Sequence, residues 1–156
     1  MADSLDISTT EMHTCGEPLR IVTSGLPPHE GATLLDKRRY FKEHLDYVRK
    51  FLMFEPRGHN DMYGVYLVEP NIPGADLACI FIHNEGYSTM CGHAVIALGR
   101  YAIDRGIVRN PTSPQTKVNI QCPCGPVEAI VDYCDGKTGN VSFKSVPGFL
   151  YAKGIH

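Results

Sequence analysis

The sequence predicts an α+β domain, a largely antiparallel sheet packed on one or two helices. Two segments carry apolar residues at helical spacing. Short apolar runs bounded by turn formers lie around them. The final third breaks into runs separated by Pro-Cys-Gly-Pro and Asp-Gly-Lys-Thr-Gly, the pattern of successive hairpins. A chain of 156 residues suffices for one ordinary domain that removes roughly 70% of its unfolded surface from water.

Residues 1–31 are rich in turn formers, and a short apolar piece at 19–22 reads as a strand. The first helix opens at Thr33, where Thr33-Leu34-Leu35-Asp36 resembles a capping box with Asp in place of the usual Glu. Phe41, Leu45, Val48 and Leu52 follow at spacings of four, three and four, one apolar stripe. Lys37, Arg38, Lys42, Glu43, Asp46, Arg49 and Lys50 fill the other side, and Pro56 closes the element near Phe54. Residues 55–64 form a polar loop without period. Strands are expected at 65–68 and 78–83, separated by the turn around Pro70-Asn71-Ile72-Pro73-Gly74. The second helix runs from Gly92 to Arg105, with Ala94, Val95, Ala97, Leu98, Tyr101 and Ala102 as its apolar side and Gly106 as its stop. Short strands at 118–121, 127–132 and 141–146 complete the order, and 146–153 reads like a strand entering further structure. No repeat, low-complexity tract or linker interrupts the chain.

Charge is nearly balanced, at −2 from 15 basic and 17 acidic residues, and no basic run suits a polyanion groove, so nucleic acid is not an expected partner. Asp36-Lys37-Arg38-Arg39, the densest charged spot, reads as the solvated face of a helix. No apolar run approaches a membrane span, and the acidic start of the chain lacks a signal core, so a cytoplasmic protein is the expectation. The six cysteines (Cys15, Cys79, Cys91, Cys122, Cys124 and Cys134) are accordingly expected as reduced thiols. Cys122-Pro123-Cys124 is one residue short of a zinc knuckle and has no second cysteine pair, so a turn between two strands is the better reading and no metal is expected.

The segment from His83 to Ala94 carries the most chemical information. Cys91 sits on a glycine-flanked turn immediately before the second helix. There, exposed backbone N–H groups and the positive end of the helix dipole favour thiolate and lower the thiol pKa. The same N–H groups can hold a carboxylate. A single cysteine ahead of a helix is more often a small buried hydrophobe than a reacting group. The polar and flexible residues His83, Asn84, Glu85, Gly86, Ser88, Gly92 and His93 around it weigh towards chemistry. Cys91 and His93 are too close in sequence, and lack a third group, to argue for a hydrolase. Tyr63, Tyr66 and Tyr101 read as core or rim residues.

Residues 11–22, the loop 55–64, the segment 84–93 and Cys122-Pro123-Cys124-Gly125 together resemble the proline racemase family, over nearly the whole chain and in the family's order. Lys37-Arg38-Arg39-Tyr40, Phe54 before Glu55, and Ala94 after His93 are most similar to the animal members that dehydrate hydroxyproline. The resemblance implies a diaminopimelate-epimerase-like fold of two similar domains. Each is a curled, mostly antiparallel sheet wrapped around a central helix, and each supplies one catalytic side chain to the cleft between them. Residues 1–156 match the first domain, and the position of the second catalytic side chain lies beyond the sequence. Cys15 stands where the family usually has Gly, a strained choice if that position needs positive φ.

By resemblance the substrate is a small imino acid. Cys91 is the base that takes its Cα proton, the backbone N–H groups of Gly92 and His93 bind its carboxylate, and no cofactor is needed. His59, Asp61 and Glu85 are candidate cleft residues, with holding the loop or orienting the Cys91 turn as the competing readings, and His13 and Glu17 are expected to orient the turn near the N-terminus or to be exposed. The implied reaction is dehydration of trans-3-hydroxy-L-proline to Δ1-pyrroline-2-carboxylate by a hydro-lyase. The alternatives are a racemase or 4-hydroxyproline 2-epimerase with two cysteine bases, or an inactive fragment holding half a site. A thiol redox protein rests on cysteine number alone. A homodimer is a family expectation.

Overall fold

The computed structural model describes residues 4–148, 150 and 152–154. Seven strands form one sheet whose spatial order follows the chain: β1 (Ser8–Thr14), β2 (Glu17–Ser24), β3 (Tyr63–Val68), β4 (Leu77–His83), β5 (Gln115–Cys122), β6 (Gly125–Cys134) and β7 (Lys137–Phe143). Four neighbouring pairs are antiparallel, and β2–β3 and β4–β5 are parallel. A parallel neighbour requires a crossover. The first crossover carries α1 (Leu34–His44) and α2 (Asp46–Met53), and the second carries α3 (Gly92–Asp104).

The two helical layers lie on opposite faces, and β4 shows the division residue by residue. Leu77, Cys79 and Phe81 pack in the core of α3, whereas Ala78, Ile80 and Ile82 pack with Phe41, Val48, Leu52 and Met53 of α1 and α2. Because β4 is buried on both faces, its apolar residues run without alternation. α3 touches β1 and β2 at one end of the sheet and β5, β6 and β7 at the other, so the sheet curls around it as the resemblance implied. Every residue assigned to the apolar side of this helix is buried. Gly99 lets it approach closely, since a Cβ there would stand 3.1 Å from Ala129 Cβ and 3.2 Å from Val141 Cγ1. Gly106 follows at φ +69, the left-handed stop expected of it.

Four features differ from the sequence reading. The turn-rich start contains a full strand, β1, which forms a hairpin with β2 through Cys15-Gly16. Both turn residues have positive φ, +50 and +98, the type I′ pattern, so Cys15 does occupy a glycine-favouring position. The single helix expected over 33–54 is two. Leu45 leaves helical geometry at φ −124 and ψ 19, and Asp46 starts α2 with its negative charge at the new N-terminus. The capping box does form, with Thr33 and Asp36 bonding reciprocally. Arg49, assigned to the solvated side, is 5% exposed. The strand expected over 146–153 is not formed by Val146, Pro147 or Gly148, and Phe149 and Tyr151 lie outside the described residues.

The remaining strands appear at or beyond their expected bounds apart from β7, which covers Lys137–Phe143 in place of the expected 141–146. Cys122-Pro123-Cys124-Gly125 is the β5–β6 turn, with Cys122 paired to Gly125. All six cysteines are free. Among the described residues, no helix is long and apolar enough to cross a membrane, and no three His, Cys, Asp or Glu side chains cluster to hold a metal.

Candidate active site

Cys91 is the N-cap of α3, with extended backbone at φ −147 and ψ 115. It is 8% exposed, in the core between the helix and the sheet. Its Sγ lies 3.2 Å from Nδ1 of His93. The other ring nitrogen of His93 is 3.3 Å from the Pro18 carbonyl on β2. A carbonyl only accepts, so Nε2 carries the proton and Nδ1 is left as the acceptor for the Cys91 thiol. The Thr14 hydroxyl donates to the His93 carbonyl at 2.8 Å, so the β1–β2 hairpin grips the first turn of α3 from both sides. Cys91 and His93 are thus in contact, and the Pro18 carbonyl holds the far side of the imidazole.

The dipole argument predicted a lowered thiol pKa, and the structure reverses the sign. Burial is the largest influence and pushes Cys91 above an ordinary thiol. The Ala94 and His93 N–H groups and the Tyr63 hydroxyl pull it down by less. No side-chain cap hydrogen bond forms at this helix start.

Tyr63 connects the thiol to a neighbouring cleft. Its ring meets His93 edge-on at 4.9 Å between centroids and stacks on His83 at 5.5 Å. Its hydroxyl hydrogen-bonds the Ser88 hydroxyl. Burial pushes the Tyr63 phenol far up, which keeps it protonated. The cleft, about 270 Å³, is lined by Asn60, Asp61, Met62, Tyr63, His83, Asn84, Glu85 and Ser88. Asp61 and Glu85 thus stand together on its wall. His59 does not line it. Its ring nitrogen takes the Asp61 N–H at 3.2 Å, and its carbonyl takes the Asn84 side-chain amide at 2.7 Å, so it holds the loop. His13 likewise takes the Gly16 N–H at 3.2 Å and supports the hairpin turn, and Glu17 is exposed. Tyr63, read as core or rim, is half-buried on the cleft wall, and what the sequence did not show is its contact with His93 and Ser88. Tyr63 opens β3 directly after the glycine-containing polar loop, and that junction was its only signal.

Chemically, the site offers a desolvated thiol with a built-in proton acceptor, N–H groups at a helix start that suit an anion, and two hydroxyls beside them.

The family described as proline racemase matches residues 9–156. A trans-L-3-hydroxyproline dehydratase of Saccoglossus kowalevskii is 64% identical over 144 residues, which cover 92% of this chain and 44% of that protein. A 3-hydroxyproline 2-epimerase of Burkholderia multivorans is 51% identical over 155 residues, 99% of this chain and 46% of that protein. A crystal structure of a hydroxyproline epimerase from Agrobacterium vitis with bound trans-4-OH-L-proline shares the fold, with a TM-score of 0.85 and 24% identity over 93% of this chain and 43% of that one. The chain spans somewhat under half the length of the curated relatives it matches.

Proposed function

This chain belongs to the proline racemase family, and we propose that it forms the thiol-bearing half of a cofactor-independent hydro-lyase acting on trans-3-hydroxy-L-proline. The observation that carries the reading is the Cys91 thiol, desolvated at the start of α3 and hydrogen-bonded to a histidine whose far nitrogen is held by a carbonyl. Proton transfer from Sγ to Nδ1 of His93 creates the thiolate. The substrate carboxylate docks on the N–H groups of Gly92 and His93, where the helix start stabilises the negative charge that develops as the Cα proton leaves. Sγ takes that proton. The freed electron pair forms the Cα–Cβ double bond as the C3–O bond breaks, and the departing hydroxyl leaves as water with a proton from an acid in the rest of the protein. The enamine product tautomerises to Δ1-pyrroline-2-carboxylate. Asp61, Glu85 and Ser88 line the wall beside Tyr63, which supports reading them as contacts of the substrate ring.

Greater similarity to a dehydratase than to a 2-epimerase, 64% against 51%, favours dehydration. The full-length protein decides the matter when its products from trans-3-hydroxy-L-proline are followed alongside solvent-proton exchange at Cα. Water loss abolished by Cys91→Ser in a folded protein is the expected result. Retained turnover in that variant overturns the role of Cys91. Cα exchange with inversion and no water loss in the parent protein means a 2-epimerase.

A further inference from the structure

Arg49 is the one charged side chain buried among the described residues. Its Nε and Nη2 bind both oxygens of Asp46, at 2.7 and 2.9 Å. Its Nη1 donates to two backbone carbonyls, His83 at 2.9 Å and Asn84 at 2.6 Å. The guanidinium lies between the rings of Phe54 and Tyr87, 5.6 and 5.8 Å from their centroids. A buried ion pair is weak evidence for stability, because an apolar pair of the same shape often does as well. A planar fork that spans a carboxylate and two carbonyls does something an apolar pair does not. It fixes where β4 ends relative to α2.

What begins at that point is the chain that leads to Cys91. His83 and Gly86 close a turn through mutual backbone bonds of 3.0 and 3.2 Å. The Asn84 side chain reaches the His59 and Asn60 carbonyls, at 2.7 and 2.8 Å. Arg38 from α1 donates to the Tyr87 carbonyl. One arginine from each helix thus holds a carbonyl of this segment, and the same segment presents Ser88 to Tyr63 and His83 to the Tyr63 ring. We propose that Arg49 is a positioning residue for the Cys91 site: through the His83 and Asn84 carbonyls it sets the cleft wall against which Tyr63, and through it the Cys91 thiol, is held. The role rests on Cys91 being the reacting group, whereas the clamp itself is independent of any activity.

Arg49→Lys keeps the charge but gives a single ammonium in place of the fork, so it holds Asp46 or the carbonyls and not both. Two readouts on the 156-residue chain follow: amide hydrogen exchange, and the pH profile of Cys91 alkylation by iodoacetamide, read by mass spectrometry of its peptide. The Glu85 and Gly86 amides, bonded to His83, and the His83 amide, bonded to Gly86, should exchange about tenfold faster or more, with the β4 amides from Leu77 to Ile82 unchanged. The alkylation midpoint should fall, because a loosened wall hydrates a thiol whose pKa burial had raised. Asp46→Asn, which leaves both carbonyl bonds in place, should shift both readouts in the same direction by less, and it carries the test if Arg49→Lys does not fold. Unchanged Glu85 and Gly86 exchange with an unchanged alkylation midpoint overturns the proposal. So does acceleration spread evenly over β4, which would make Arg49 merely structural. Failure of the Cys91→Ser test in the full-length protein, with the clamp readouts as expected, would remove the chemistry and leave the clamp.

Discussion

Gly58→Ala should be among the most damaging single-methyl additions in this chain. An added Cβ would lie 2.0 Å from the Met53 carbonyl oxygen, 2.4 Å from its carbon and 2.9 Å from its Cα. Cβ atoms are not found closer than 3.0 Å to such groups, so backbone must move by about 1.0 Å, the difference between 3.0 and 2.0. Neither side yields easily. Met53 is fully buried at the end of α2. The loop is fixed by the Gly58 N–H to Phe54 at 2.9 Å, by Arg20 bonds to the Leu52 and Arg57 carbonyls at 2.5 and 2.7 Å, and by Arg57 stacked 3.6 Å over the Phe51 ring. Overpacking of this kind costs about 1–3 kcal/mol, and loosening two hydrogen bonds, one of them charged, adds about 2 kcal/mol. The lower chain entropy of Ala in the unfolded state returns about 0.4–1 kcal/mol. The net loss is about 2–4.6 kcal/mol, read as a drop in the urea midpoint and in Tm of roughly 4–18 °C. Gly148→Ala, with nothing within 4 Å and no left-handed φ, is the control and should be silent. A Gly58→Ala chain within about 0.5 kcal/mol of the parent would refute the argument, because no relaxation that cheap opens the gap.

Two further stability outcomes follow. Cys15→Asn converts the β1–β2 turn to Asn-Gly, the pair that type I′ geometry favours, and should add about 0.5–1 kcal/mol and a Tm gain of roughly 2–4 °C; a lower Tm would contradict the φ of +50. Stability should fall as pH rises beyond the ordinary thiol range. Burial raises the Cys79, Cys91 and Cys124 thiols, so the unfolded chain loses those protons first and binds fewer than the folded one, which makes the slope negative. The raised Tyr63, Tyr66 and Tyr87 phenols extend the decline above a pH of about 10. Urea midpoints that stay level between pH values of about 7 and about 10 would contradict this.

The elements that were legible are those whose pattern comes from burial against the sheet. α3 carries its apolar side in one uninterrupted stripe, and β4, buried on both faces, is a continuous apolar run. β1 escaped because it is an edge strand. Its exposed positions are Ser8, Thr9, Glu11 and His13, and Met12 alone gives it an apolar anchor. Its remaining signals were β-branched threonines and the two-residue turn after it. The break at Leu45 escaped for the opposite reason: Phe41, Leu45, Val48 and Leu52 stay on one buried side across it, so the stripe shows no gap. Arg49 was assigned to solvent because local periodicity groups it with Asp46 and Lys50. Its burial is decided by carbonyls 34 and 35 residues away, which no local pattern encodes. Asp61 and Glu85 could be named from their loops, but their common wall depends on β3 and β4 pairing so that Tyr63 faces His83.

The thiol shows how two correct rules can point in opposite directions, with magnitude deciding between them. A helix start offers a charge about 0.3–1 kcal/mol, up to roughly 2 kcal/mol where partly buried, and that is worth at most about 1.5 pKa units. Removing a thiolate from water acts the other way by as much as 3–5 units when complete. Cys91 is 8% exposed, so burial wins, and the helix start alone does not make it a base near neutral pH. The proposed role of Cys91 therefore needs a proton acceptor inside the same dry site. His93 supplies one at 3.2 Å, oriented by Pro18 from a strand 75 residues earlier. On the function proposed above, the β1–β2 hairpin belongs to the base as well as to the fold, since without its carbonyl the imidazole has no fixed tautomer to offer the thiol.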